Sequence, residues 1–317
     1  MIAVIGATGF IGSALTRRLL REEPTAARGP EPVRALVRDE ARARAGLGQR
    51  ADDRLQLVVG DMHDDDALDA LLDGARAVYV VVQTVSARQP RNTGDFAAAE
   101  QRATDRIVAA AKRAGTPRLL TVGLIGAGRD AANPWVRSRA AVERQLLDSG
   151  LDVTVLRPGL VAGPGGAGFD GLLRAARRWT ATIRGDGRQR WSWIALDDLV
   201  GYLVEALDEP STYGRVLDVG TVDAPTYREL VAATAAALGR PTPHLVALPL
   251  GVLHLVAPLL ERAGGHPRGG LRAAVDHLAG DLTGDPAPIR ELLPRDLLDW
   301  GTCVRAAVER PAPAPAG

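Results

Sequence analysis

Seven residues near the start of the chain have the types and spacing to hold a diphosphate: Gly6-Ala7-Thr8-Gly9-Phe10-Ile11-Gly12. The run directly follows an apolar stretch, Ile2–Ile5, and opens a segment with helical periodicity. In that setting Gly6 permits the tight strand-to-helix turn, Gly9 lets the backbone close on a pyrophosphate, and Gly12 lets the helix pack closely on the strand. The unpaired N–H groups and positive dipole end of the helix then face an anion, with Thr8, Phe10 and Ile11 completing the cradle.

Two further clusters extend this into a dinucleotide site. The second apolar stretch, Val33–Val37, is followed by Arg38, where a site selective for NAD usually carries a carboxylate about twenty residues past the glycines. Arginine suits a ribose 2′-phosphate instead, so the expected cofactor is NADP(H), with NAD(H) as the alternative. Asp39 comes next, and a ribose role for its carboxylate stays open. Gly60-Asp61-Met62 closes the third stretch. There a carboxylate can accept from an adenine amino group and a thioether can pack on the ring, or the segment is simply a helix cap.

The elements that must position these residues alternate along the chain. Ile2–Ile5, Val33–Val37, Leu55–Val59, Ala77–Val82, Arg118–Val122 and Val153–Leu156 read as strands. Their near-continuous Val, Ile and Leu content predicts burial on both faces of a parallel sheet. Ile11–Arg21, Ala67–Leu72, Phe96–Arg113 and Val136–Asp148 read as the intervening helices, with starts near Asp66, Asp95 and Asn133 or Pro134. The fold class is therefore α/β, a Rossmann-type doubly wound parallel sheet with a smaller, mostly helical C-terminal substrate-binding region. Residues 1–160 form the dinucleotide-binding domain, to which the chain returns at about 190–220. Residues 161–189 and 221–310 form the smaller cap. Within it Pro241–Arg310 holds two or three helices, and Leu245–Leu260 reads as a packed helix. The Pro/Ala tail from Pro311 cannot bury enough apolar surface to order itself.

Composition narrows the partners. With 317 residues, a formal charge of +1 and interspersed signs, no footprint for nucleic acid or an anionic membrane appears. One cysteine, Cys303, excludes an internal disulfide framework. The five histidines lack paired ligand spacing, so no metal is expected. A small-molecule partner and a cytoplasmic location fit these features.

With the glycine loop, Val59-Gly60-Asp61, Leu156-Arg157-Pro158-Gly159, the run Arg190 to Asp198 and Tyr227-Arg228-Glu229-Leu230, the chain resembles the short-chain dehydrogenase/reductase superfamily. More narrowly it is similar to the extended and atypical members, which include NmrA-like regulators, NAD(P)H-binding reductases and the epimerase/dehydratase family. The similarity runs from Met1 to about Arg240. It implies that Val82 and Gln83, Val122, and Pro158, Gly159, Leu160 and Val161 line the nicotinamide ribose and ring.

The same resemblance implies a Ser or Thr, then Tyr and Lys four residues apart, for proton transfer and ribose binding. Here those positions carry Leu124, Trp135 and Arg139. Neither leucine nor tryptophan can pass a proton, and arginine can hold a ribose but cannot act as an acid. Lys112 is the only lysine, and the tyrosines read as packing residues. Two readings follow. One is an NADP(H)-dependent oxidoreductase, or a redox-neutral biosynthetic enzyme, acting on a small hydrophobic molecule with a non-standard site. The other is a non-catalytic redox sensor or assembly protein of NmrA type, whose occupancy changes its affinity for a protein partner. Trp135, Trp191 and Trp193 either stack a flat ligand or cement the domain junction.

Overall fold

Alternate side chains of the first strand enter different cores, and this organises the molecule. In β1 (Ile2–Ile5), Ile2 and Val4 belong to one apolar cluster while Ala3 and Ile5 belong to another. Such two-sided burial requires a helical layer on each face. The computed structural model describes residues 1–21, 31–47, 54–82, 96–128, 131, 133–264 and 270–309. Along it run α1 (Phe10–Arg21), β2 (Val33–Val37), α2 (Glu40–Leu47), β3 (Leu55–Val59), α3 (Asp65–Leu72), β4 (Ala77–Val80), α4 (Phe96–Ala114), β5 (Arg118–Val122), α5 (Pro134–Leu147) and β6 (Asp152–Pro158). There follow β7 (Leu160–Ala162), α6 (Ala167–Ala176), β8 (Thr180–Arg184), β9 (Trp193–Ala195), α7 (Leu196–Glu205), β10 (Arg215–Val219), α8 (Tyr227–Ala237), β11 (His244–Leu248), α9 (Leu250–Gly264), α10 (Gly270–Ala279), α11 (Ala287–Leu292) and α12 (Trp300–Glu309).

The main sheet has seven parallel strands in the order β10-β6-β5-β4-β1-β2-β3. Strand order reverses at β1, so the crevice outside its C-terminal end and that of β4 is where such folds take ligands. Residues of α1 and α7 cover one face and residues of α3, α4 and α5 the other. The doubly wound class thus agrees with expectation, and β10 is the return of the chain to the sheet.

Several boundaries differ. β3 is an edge strand with only partial burial, and Val59 is 57% exposed, because no further strand covers that side. β4 stops at Val80, two residues early. α3 begins at Asp65 rather than Asp66, because the Asp64 carboxylate accepts the Ala67 N–H at 3.0 Å. Asn133 caps α5 as expected, accepting the Trp135 N–H at 2.9 Å with Pro134 in the first turn. Asp95 lies outside the described residues, as does the tail from Pro311.

The C-terminal region departs most. Leu245–Leu260 is no packed helix: its first residues form β11, parallel to β8, and the rest enter α9, where Leu255 is 78% and Leu259 65% exposed. Among the described residues, four helices and one strand occupy the stretch expected to hold two or three helices. A third apolar cluster joins β7 and β9 to α6, α8 and α12 around Phe169, Trp191, Trp193 and Trp300. No helix among the described residues is long and apolar enough to cross a membrane.

Candidate functional site

Backbone geometry gives the glycine loop its shape. Gly6 has φ +91°, which L side chains rarely adopt, and a Cβ there would lie 3.0 Å from the Val81 carbonyl group. The Gly9 N–H donates to the Gly6 carbonyl at 3.0 Å. A Cβ on Gly12 would sit 2.0 Å from the Gly6 oxygen, so α1 meets the loop at a distance only glycine allows. Ile11 anchors the helix in the core, Thr8 and Gly9 are exposed, and Phe10 packs against Gly163 and Gly166. No acidic side chain occupies the first turn of α1, which leaves its positive end uncompensated. These residues fit a dinucleotide diphosphate.

At the adenosine end, Arg38 is exposed and forms no hydrogen bond or ion pair among the described residues. Asp39 serves α2 instead, where its Oδ1 accepts the Arg42 N–H at 2.9 Å in the first turn. Asp61 is exposed beyond β3 and accepts the His63 N–H at 2.7 Å. Met62 is half-buried and lines a small cavity of about 40 Å³ with Val80, Val82, Glu100, Thr121 and Arg139. Val82 also approaches Gly6, which ties the end of β4 to the loop. Gln83 lies outside the described residues.

The end of β5 lies beside β4, and that of β6 beside β5. Val122 is buried and pairs with Leu156. Pro158 and Gly159 lead from β6 into β7, Leu160 donates its N–H to the Ser192 carbonyl at 2.9 Å, and Val161 packs toward the core that includes Phe10. A buried carboxylate that the sequence did not reveal fixes the next segment. Glu143 Oε1 accepts the Leu124 N–H at 3.1 Å, and its Oε2 takes the Arg157 guanidinium, with Nε at 2.8 Å. At 2% exposure, Glu143 needs both partners.

The Arg139 guanidinium has partners within the chain. It is buried between α4 and α5, donating to Glu100 at 2.7 Å and to the Val122 carbonyl at 3.3 Å, while the Ser138 hydroxyl meets the other Glu100 oxygen at 3.3 Å. Burial of Glu100 demands a counter-charge, and Arg139 supplies it.

Trp135, at the usual tyrosine position, is half-buried, and its indole Nε1 is shielded from solvent with no acceptor among the described residues. Against it, ring centroids 5.1 Å apart and planes at 74°, stands His277 of α10. Burial pushes the His277 pKa below the ordinary histidine value, which favours neutral imidazole. Nothing in the sequence pointed to His277, because the contact joins residues from distant parts of the chain.

The other aromatic candidates are structural. Trp191 is buried edge-to-face on Tyr227 with its indole N–H on the Gly280 carbonyl at 3.3 Å, and Trp193 packs on Trp300. The Tyr79 hydroxyl donates to the Leu203 carbonyl at 2.9 Å, Tyr202 is fully buried, and Tyr213 lies under Arg118. Lys112 is exposed at the end of α4. Among the described residues no His, Cys, Asp and Glu cluster could hold a metal ion. A cleft of about 290 Å³ opens in the C-terminal region between α6, β8 and Leu248.

The profile of a family described as NAD(P)H-binding matches residues 6–175. An NAD(P)H azoreductase of Xenophilus azovorans is 31% identical, over 76% of this chain and 75% of its own length. A 3-diazoavenalumate denitrifying reductase of a Streptomyces species is 33% identical, over 67% and 73%. An NADPH-dependent quinone oxidoreductase of Escherichia coli, solved with NADPH, superposes with a TM-score of 0.74 at 20% identity, covering 97% of this chain and 100% of that one.

Proposed function

Because this chain belongs to the NAD(P)H-binding family, we propose that it is an NADPH-dependent reductase of small conjugated acceptors, of the quinone and azo type. When bound, the dinucleotide supplies a hydride from its nicotinamide ring. The glycine loop and the α1 N-terminus hold its diphosphate, and Arg38 holds the 2′-phosphate. Asp39 is committed to α2, which leaves the guanidinium as the group available at the ribose edge.

The observation that carries the acceptor class is the pairing of an intact cradle with a site lacking the usual proton donor. Leu124 and Trp135 transfer no proton, and Arg139 is tied to Glu100. Simple ketones and alcohols need an acid or base at the reacting oxygen. A quinone or azo group spreads the incoming charge over its conjugated system, so water can complete the reduction. The azoreductase and diazo-compound relatives support that class.

The test is a titration of the full chain with NADPH and NADH by nicotinamide fluorescence, together with NADPH consumption in the presence of menadione or methyl red. The expectation is tighter NADPH binding and turnover with at least one acceptor. Arg38→Gln weakens NADPH about ten- to a hundredfold, the value of a charge-assisted bond, and leaves NADH unchanged. Equal loss for both cofactors would remove the role given to Arg38. Binding without turnover of either acceptor would overturn the reductase reading in favour of a sensor.

A further inference from the structure

Two polar rings at the C-terminal edge of the sheet have no polar partner. The Trp135 indole N–H is shielded from water and meets no acceptor among the described residues. A buried donor left unmade is costly, so this one calls for an explanation, and a ligand atom that completes it supplies one. The His277 imidazole, half-buried and edge-on to that indole, likewise makes no hydrogen bond among the described residues.

Their location is that of the missing chemistry. Trp135 stands in the first turn of α5, two residues beyond its Asn133 cap, and shares an apolar cluster with Leu124, Ala127 and Ala131. Leu124 follows β5, whose neighbour β4 leads into Val81 and Val82 beside Gly6. The indole is thus on the ligand-binding side of the sheet. His277 arrives there because α10 packs on α5, while Asp276, beside it on α10, is held by His254 of α9 at 2.5 Å. That clasp, and the Trp191 N–H on the Gly280 carbonyl just past α10, fix the helix from two other elements.

We propose that Trp135 and His277 form the acceptor seat: the indole N–H and an imidazole N–H donate hydrogen bonds to the heteroatom at the end of the acceptor's conjugated system, a quinone oxygen or an azo nitrogen. This rests on the reductase reading and goes beyond it by naming the residues that recognise the substrate. Neutral imidazole, the form that burial favours here, keeps one N–H to donate. The acceptor enters by displacing the His277 ring from its contact with the indole. An aromatic edge contact is weak enough to be exchanged for two hydrogen bonds. The aliphatic Leu124, where the superfamily keeps a hydroxyl, leaves an apolar wall for the body of the ligand.

The experiment is calorimetric titration of the full chain saturated with NADP+, using menadione and methyl red as probes, for wild type, His277→Phe, His277→Gln and Trp135→Phe. NADPH affinity and thermal unfolding are measured on each variant. Either Phe substitution should weaken at least one probe about tenfold or more, with NADPH affinity unchanged, and His277→Gln, which restores an N–H donor, should recover most of the loss. A purely structural role for His277 would make Phe and Gln equivalent. The seat is overturned if wild type binds neither probe, if His277→Phe binds both within twofold of wild type, or if NADPH affinity falls in parallel. If Trp135→Phe does not fold, the His277 pair decides. Binding without turnover would end the reductase reading and leave the seat standing. Turnover with unaltered variants would do the reverse.

Discussion

Gly12→Ala is the sharpest test of the loop geometry. The added Cβ would lie 2.0 Å from the Gly6 oxygen and 2.7 Å from its carbonyl carbon. A relaxed carbon–oxygen contact is about 3.3 Å, so the helix or the loop must yield by about 1.3 Å. Both atoms belong to backbone, and no side-chain rotation relieves the clash. Folding stability should fall by about 1–3 kcal/mol, the range for overpacked sites. Binding should suffer more. A displacement of that size takes a loop N–H beyond hydrogen-bonding range of a phosphate oxygen, and each charge-assisted bond is worth about 2 kcal/mol. Loss of one or two bonds corresponds to roughly thirtyfold to nine-hundredfold weaker NADPH. The assay pairs NADPH fluorescence titration with urea unfolding. Gly46→Ala serves as the control, since a Cβ on that α2 glycine meets nothing within 4 Å and should be neutral or slightly stabilising. If Gly12→Ala binds NADPH within threefold of wild type at unchanged stability, the close approach does not shape the site and the cradle argument fails.

Three other outcomes follow from the surroundings. Glu143→Gln strands the half-buried Arg157 without its counter-charge and should cost about 3 kcal/mol in urea unfolding, whereas removing the exposed Arg44–Glu40 pair should cost under about 1 kcal/mol. Similar small losses at both sites would refute the buried-anchor role. The Cys303 thiol, pushed up to about 12 chiefly by burial, should resist Ellman's reagent in the native state at pH 8 and react once the chain is unfolded; fast native labelling would contradict its placement. His277 has a depressed native pKa, so below 6.5 the unfolded chain binds its proton more readily than the folded one. Stability should therefore decline as pH falls through 6.5 toward the lower native value, and His277→Phe should flatten that part of the curve; an unchanged slope would show the ring is not buried against Trp135.

The nucleotide half of the molecule was legible because its determinants are local. Alternating core assignment within β1, the glycine spacing, the Asn133 cap and the order of strands and helices each depend on residues a few positions apart, and periodicity reports them directly. Errors appear where a tertiary neighbour decides. β3 has the composition of a central strand yet lies at an edge, since composition cannot count the strands beside it. Arg139 has the type and register to hold a ribose, but Glu100 of α4 claims it. Both residues were visible in the sequence; that they meet was not.

What the sequence determined by itself is the doubly wound sheet and the glycine-rich turn that opens its first helix; the resemblance added that the positions usually held by a hydroxyl, a tyrosine and a lysine carry Leu124, Trp135 and Arg139. Tertiary structure alone decided that Asp39 caps a helix, that Glu143 anchors Leu124, and that α10 sets His277 on Trp135. The division has a physical cause. A turn or a helix stripe is specified by side chains within one or two turns of backbone, whereas a buried charge or an orphaned ring nitrogen takes its meaning from whichever distant segment packs against it.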